Sequence, residues 1–410
     1  MNPALLSLGA LLLAILLSCF TQRNIGLLAI ALAGVVGSAA NLDANAIMAG
    51  FPVSLFLTIA GITLLFTQAE LNGTLLALTS TLMRVAQGNG ARVLLLLSLL
   101  AALLSAFGAG AIAATALVTP VAMRTAQTAR LPLFLMAILI GLGANAGNLA
   151  PLSPVGVVVN TLLAQQSIAV EGGQVFWVNA LAHLLLIALA FCLFGGLAQF
   201  RRQVAMSAFP PPEWTRPRIF TLALLLLLLA SVMLYKIPLG LAAFGLAALL
   251  VLLHAAPEAK AIAAMPWSVI VMVCGVTMLI AIIEKSGGMD IFSGWIARFS
   301  TANSIHATLA FLTALISTYA STSGVVLPAF VPTLPRLATE AGVEISGLVS
   351  SIVLGSHLVD VSPLSTIGAM AVATVDDEPT RQRLFRQLLL WSFSMCPVAA
   401  LISYVWFRHL

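Results

Sequence analysis

Apolar runs close to twenty residues long follow one another through this chain, and a sequence built that way can hide them only in a lipid bilayer. Candidate spans fall at 4–20, 24–40, 51–67, 91–104, 131–143, 154–165, 176–199, 219–235, 238–254, 267–283, 305–318, 346–358, 363–375 and 387–407. Hydrocarbon offers no water to a backbone amide, so such spans must be helices that satisfy their own hydrogen bonds. Composition agrees, with 61% hydrophobic residues, 8% charged residues and a mean hydropathy of +1.11. The expected class is an all-α polytopic membrane protein. The first run lacks a basic start and a small-residue cleavage pattern, and is read as a helix rather than a signal peptide. Cys19, Cys192, Cys274 and Cys396 lie inside apolar runs with no CxxC or Cys/His spacing, so they are read as packing. The net charge of +5 is read as orientation in a membrane, with no nucleic acid involved.

The chain also repeats itself. At an offset of 214, Gly26-Leu27 meets Gly240-Leu241, Gly61 meets Gly275, Glu70 meets Glu284, Gly73 meets Gly287 and Gly110 meets Gly324. At 212, Gly143 meets Gly355, Pro151-Leu152-Ser153 meets Pro363-Leu364-Ser365, and Gly156 meets Gly368. Leu and Ala matches carry little weight in this composition; Gly, Pro and Glu matches in one register carry much more. The reading is two repeats, 1–200 and 219–410, joined by a linker at 201–218.

Each repeat contains an interrupted span. GLGANAGNLAPLSPVGVVVN (141–160) and GSHLVDVSPLSTIGA (355–369) each fall between half-length apolar segments. Proline removes a backbone donor, so the helix should unwind there. Unwound backbone at membrane depth is tolerated only against protein or a wet cavity, and two matching breaks point to a transporter's binding site. Upstream, SAFGAGAIAATALVTP (105–120) and STYASTSGVVLPAFVP (317–332) each follow a short apolar helix and return through an apolar piece to a proline. Both read as re-entrant hairpins whose tips offer helix ends and free carbonyls to a ligand.

The candidate binding residues lie at these four places. In the first repeat they are Ser105, Gly108 and Gly110 at the hairpin, with Asn145, Gly147, Asn148 and Ser153 at the break. In the second they are Thr318, Ser321, Thr322 and Ser323, beside Ser317, with His357, Asp360, Ser362, Pro363, Ser365 and Thr366 at the break. Asp360 is the one acidic residue of thirteen that falls inside a predicted core segment. An ionisable group there is costly unless paired or solvated, which suits a cation ligand or proton carrier. The structural alternative is a half-helix cap bonded to backbone amides. His357, three residues earlier, is expected to bond Asp360, tune it or touch substrate. His183, in an apolar helix, is read as packing. Hydroxyls and free carbonyls suit Na⁺, with Asn145, Asn148, Ser321, Ser323 and Asp360 as its ligands; half-helix N-termini suit a carboxylate. Amphipathic pieces at 71–87 and 289–299 read as arms in the membrane interface.

Three spanning helices, a hairpin, a broken helix and a last helix give five crossings per repeat, an odd number that inverts the second repeat. With the linker in the cytoplasm, thirteen basic residues lie inside: Arg23, Arg84, Arg92, Arg124, Arg130, Arg201, Arg202, Arg216, Arg218, Lys260, Arg381, Arg383 and Arg386. Five lie outside: Lys236, Lys285, Arg298, Arg336 and Arg408. That satisfies the positive-inside bias and makes both termini periplasmic.

At these residues the chain resembles dicarboxylate carriers of the malonate-carrier (MatC) type, in an ion-transporter superfamily that includes the divalent-anion/sodium symporters. MNPALLSLGALLLAILLSCFTQRNIGLLAIALAGVVG, GANAGNLAPLSPVG and GSHLVDVSPLSTIGA carry the likeness, which extends over essentially the whole chain. The resemblance implies an elevator-type homodimer in a bacterial inner membrane, with a scaffold and a moving region in each protomer. It implies transport of a small dicarboxylate, malonate- or succinate-like, coupled to Na⁺ or alternatively H⁺. The family's Ser-Asn-Thr hairpin tip is represented loosely by Ser321-Thr322-Ser323. The first tip reads Phe107-Gly108-Ala109-Gly110, so carbonyls around Gly108 and Gly110, with Asn145 and Asn148 opposite, would serve there.

Other classes fit less well. An intramembrane aspartyl protease needs two carboxylates and only Asp360 is available; HExxH is absent, so no enzyme and no cofactor are expected. A permease subunit of a tripartite, binding-protein-dependent dicarboxylate system would share the hairpins and breaks. The same fold would also serve citrate, arsenite or cation exchange. No intramembrane Lys or Arg is predicted, so substrate charge must be met by helix ends, hydroxyls, cations or His357.

Overall fold

Short polar side chains mark where several helices start. Asn24 Oδ1 accepts the Gly26 amide at 2.9 Å, Asp43 the Ala46 amide at 2.6 Å, and Asn89 the Ala91 and Arg92 amides at 3.1 and 3.2 Å. The computed structural model describes residues 3–20, 24–168, 172–204, 213–235 and 237–407. Arg23, Lys236 and Arg408, used above for orientation, and linker positions 205–212 lie outside the described residues. Among the described residues there is no β-strand, and one isolated bridge pairs Asn89 with Gln203.

The first half runs α1 (Pro3–Phe20), α2 (Ile25–Ala39), α3 (Ala44–Met48), α4 (Val53–Leu71), α5 (Thr74–Val85), α6 (Gly90–Leu104), α7 (Gly110–Thr128), α8 (Leu133–Gly147), α9 (Pro154–Gln165) and α10 (Gly172–Leu193). The second runs α11 (Arg216–Tyr235), α12 (Leu239–Leu252), α13 (Glu258–Ala264), α14 (Trp267–Lys285), α15 (Gly288–Arg298), α16 (Ile305–Ser317), α17 (Leu327–Phe330), α18 (Leu334–Ala341), α19 (Ile345–Leu358), α20 (Thr366–Ala373) and α21 (Glu378–Phe407). Five described stretches are long and apolar enough to cross a membrane: Ala44–Leu71, Gly90–Thr128, Gly173–Leu193, Trp267–Lys285 and Glu378–Phe407. Cys274 and Cys396 are buried as expected, whereas Cys192 is exposed on α10.

Several boundaries differ from the apolar runs. The stretch Gly90–Thr128 is not one rod, because Gly108 and Gly110 take φ of +119° and +74° and α6 packs back against α7. Its return arm does not stop at Pro120, which sits exposed within α7; a membrane helix absorbs one lost backbone bond. The second return is split by Pro328, Pro332 and Pro335 into short pieces and ends at Ala341. The second break is longer than hydropathy suggested, since α20 begins only at Thr366. α21 starts nine residues before its apolar run, through a charged turn with good helix propensity.

Glycine contacts define the packing. A Cβ on Gly26 would lie 2.3 Å from the Val271 carbonyl oxygen, and one on Gly275 would lie 2.2 Å from that of Gly26. A Cβ on Gly61 would lie 2.6 Å from the Gly240 oxygen, and one on Gly240 would lie 2.7 Å from Thr58 Cα. α2 therefore crosses α14 and α4 crosses α12 at close range, each pairing one half with the other. Within each half, Gly143 lets α8 approach the Ser98 oxygen of α6, and Gly355 lets α19 approach the Ala310 oxygen of α16. α8 from Leu135 to Gly147 and α19 from Gly347 to Leu358 are buried at every residue, so both breaks begin at the centre of the protein.

Gly240→Leu is expected to destabilise the detergent-solubilised protein by about 1–3 kcal/mol through overpacking, seen as a lower melting temperature and loss of monodispersity. Gly245→Leu, on the same helix with nothing within 4 Å of its Cβ position, is expected to preserve both.

Candidate functional site

Asp360 lies in the turn between α19 and α20. Backbone bonds Asp360 N to His357 O (3.3 Å), Ser362 N to Val359 O (2.9 Å) and Ser365 N to Ser362 O (3.0 Å) shape that turn, and Pro363 has no N–H to satisfy. Asp360 Oδ1 accepts the Thr322 hydroxyl at 2.7 Å and the Ser317 hydroxyl at 3.2 Å. The two hydroxyl oxygens are 2.5 Å apart, and Thr322 also lies 3.4 Å from the Ser356 carbonyl oxygen. No basic side chain among the described residues forms an ion pair with Asp360. The carboxylate is therefore held by the second hairpin, and not by amides at a half-helix N-terminus as one expectation had it. His357 does not bond it either. Its Nδ1 donates to the Val353 carbonyl at 2.9 Å, with Ser356 Oγ at 3.4 Å.

The other expected residues divide clearly. Ser365 Oγ donates to the carbonyls of Asp360 (2.5 Å) and Ser362 (2.9 Å), and Ser362 Oγ accepts the Leu364 amide at 3.2 Å. Thr318 bonds the Ala314 carbonyl of its own helix at 3.0 Å, and Ser321 accepts the Gly324 amide at 3.1 Å. Ser323 is buried and Thr366 is exposed. Thr318, Ser321, Ser323 and Thr366 make no hydrogen bond to Asp360.

In the first half, Asn148 Oδ1 accepts the Ala111 amide in the first turn of α7 at 3.1 Å, and the Ser153 hydroxyl at 3.3 Å. The hairpin tip rests on α4, where a Cβ on Gly108 would meet the Phe66 ring at 2.5 Å. Ser105 is fully buried and its hydroxyl has no partner among the described residues. Gly147 is a packing residue, since a Cβ there would lie 2.1 Å from the Ala102 oxygen.

The register that pairs Gly143 with Gly355 also sets Asn145 against His357, Asn148 against Asp360 and Ser153 against Ser365. Asn148 and Asp360 each receive hydrogen bonds from the return arm of their own hairpin. This equivalence was open to the same offset but concealed by the change of residue type.

Asn145 does not face the first hairpin. Its Nδ2 donates to the His357 carbonyl at 3.2 Å, linking the two broken helices. Asn179 on α10 donates to the Asn145 carbonyl at 2.8 Å, and His183 Nδ1 donates to the Asn179 carbonyl at 2.8 Å. A carbonyl only accepts, so each of His183 and His357 carries its proton on Nδ1. His183 is buried and bonded within its own helix, one turn from the Asn179 side chain that ties α10 to Asn145, and Asn145 in turn reaches His357; all four residues are fully buried. Asn179 carried no mark beyond being an amide in an apolar run.

The donor set at the second break is a carboxylate, two hydroxyls and a carbonyl, all oxygen, as a hard cation or a proton requires. Among the described residues no cluster of three His, Cys, Asp or Glu exists to hold a transition metal.

Comparison with known proteins adds a partial family match and a fold. Residues 1–148 match the family described as dicarboxylate carrier protein MatC N-terminus. The structure is similar to the YdaH transporter of Alcanivorax borkumensis, a crystal structure described as having an unusual topology. The TM-score is 0.61 at 16% identity, covering 99% of this chain and 98% of that one. It is also similar to MtrF of Neisseria gonorrhoeae, described with a class of antimetabolite efflux pumps. There the TM-score is 0.59 at 14% identity, covering 88% and 82%. No curated protein matches the sequence. The chain shares the fold of these two proteins. These matches to carriers and transporters accord with the expectation of a protein that is not an enzyme, but they do not carry the wider kinship with divalent-anion/sodium symporters.

Thr322→Val removes a hydrogen bond to a charged group, an effect of about 1.5–3 kcal/mol, and is expected to weaken a cation at Asp360 about 10–100-fold in a cation-dependent thermal-shift titration. Thr318→Val, which loses a bond within its own helix and a 3.9 Å contact with Cys396 Sγ but none to Asp360, is expected to titrate like the wild type.

Proposed function

We propose that this protein is a secondary active transporter that moves a small dicarboxylate, malonate- or succinate-like, across a bacterial cytoplasmic membrane, driven by Na⁺ or H⁺ bound at Asp360. The observation that carries the reading is the meeting of the one core carboxylate with two hairpin hydroxyls at the second helix break. A cation at that point neutralises Asp360 and bridges hairpin to break. The substrate's carboxylates are met by the N-terminal ends of α7 and α9, by hydroxyls and by the bound cation, since no Lys or Arg lies at either break. The dicarboxylate class rests on the family match of the first 148 residues.

In this reading the halves are inverted repeats. The reciprocal crossings of α2 with α14 and α4 with α12 form the scaffold, supported by glycines matched at one offset. The two hairpins and two broken helices form a region that moves as an elevator, in a homodimer with periplasmic termini and a cytoplasmic linker.

Pure protein in proteoliposomes is expected to accumulate labelled malonate or succinate when a Na⁺ or pH gradient is imposed, and Asp360→Asn is expected to abolish the gradient-driven component. Gradient-driven uptake that survives in Asp360→Asn would remove Asp360 from the coupling step. Folded wild-type protein that moves neither acid under any gradient would refute the autonomous-carrier reading and turn attention to a partner-dependent permease or another anion.

A further inference from the structure

The two breaks share one framework and differ in one charge. We propose that Asn148, the counterpart of Asp360, is the residue that assigns the two sites different ligands: its side-chain amide donates to a substrate carboxylate at the first break, leaving Asp360 to hold a single coupling cation at the second. The proposal rests on the transport reading above and adds the residue that sets its stoichiometry.

Three observations support it. The offset of 212 aligns the positions, and each side chain accepts a hydrogen bond from its own hairpin's return arm. The Ala111 amide fixes the orientation of Asn148: Oδ1 is the acceptor, used by Ala111 N and Ser153 Oγ, so Nδ2 is the other atom. Nδ2 makes no hydrogen bond to any described residue, although Asn148 is 96% buried by its 4% exposure. An amide donor repels a cation and suits an anion. Finally, residues 90–165, which span the whole first hairpin and break, contain no Asp or Glu. Nothing else there replaces the missing charge.

The neutral residue is not forced by the fold. The Ala111 amide sits in the first turn of a nineteen-residue helix, where an aspartate accepts as well as an asparagine and gains from the helix dipole. Asn148→Asp should therefore fold, and its effect should be on ligands.

The test uses full-length protein in proteoliposomes, with Na⁺ titrated at fixed pH and protons at fixed Na⁺, to take whichever cation drives malonate or succinate uptake. The wild type is expected to show a Hill coefficient of about 1 and Asn148→Asp about 2, with the dicarboxylate KM raised about tenfold or more. Asn148→Ala removes the donor without adding charge, and is expected to raise KM similarly while leaving the coefficient at about 1. A wild-type coefficient of about 2, or an Asn148→Ala KM equal to wild type, overturns the assignment. Should the wild type move no dicarboxylate, the transport reading fails by itself. A thermal-shift titration with Na⁺ or protons then still counts cations, and equal cation dependence in wild type and Asn148→Asp sinks the inference.

Discussion

A backbone interrupted inside a bilayer has no water to complete its hydrogen bonds, and that constraint shapes the centre of this protein. Both breaks follow helices that are buried along their length, so every freed group needs a partner from the chain. Tight turns supply several of them, and side chains supply others. Asn148 takes the Ala111 amide at the start of α7, and Asp360 gathers the hydroxyls of Ser317 and Thr322. The same bonds that keep the unwound segments tolerable therefore bind each hairpin to its break and create the polar site.

A second layer of contacts is chemically different. Where the hairpin tips meet the long helices, the contacts are largely apolar: Gly108 lies against Phe66 of α4, and Gly324 against Met272 of α14. A polar contact joins Gln166, just past α9, to Glu284 on α14 at 3.3 Å. Its counterpart by sequence offset, Glu70, instead lines a narrow cleft beside Ala109 and Ala113. Apolar seams tolerate sliding better than directional hydrogen bonds do, a property that the proposed elevator motion would need.

Much of this was legible in the residues because the signals are local. Hydropathy gives the helices, and paired Gly and Pro give the register and the two breaks. Asp360 stood out because an isolated core carboxylate is costly. What stayed hidden depended on helix phase or on contacts between distant segments. Five hydroxyl residues cluster at the second hairpin, yet only Ser317 and Thr322 face Asp360; Thr318 turns back on Ala314. Asn179, one turn before His183 on the same helix, gave no sign of its bond to the Asn145 carbonyl, because that partner comes from another helix. The prolines misled in the other direction, since Pro120 is absorbed within α7 rather than ending the hairpin.

Linkage offers the most direct test of the cation at Asp360. Calorimetric titration of malonate or succinate into the purified protein, with and without Na⁺ at fixed pH and again across pH at fixed Na⁺, measures that coupling at equilibrium. Tighter dicarboxylate binding with one of the two cations, matched by an equal tightening of that cation when the dicarboxylate is present, is the expected result. Dicarboxylate binding that is indifferent to both cations would contradict a coupling ion held between the second hairpin and its break.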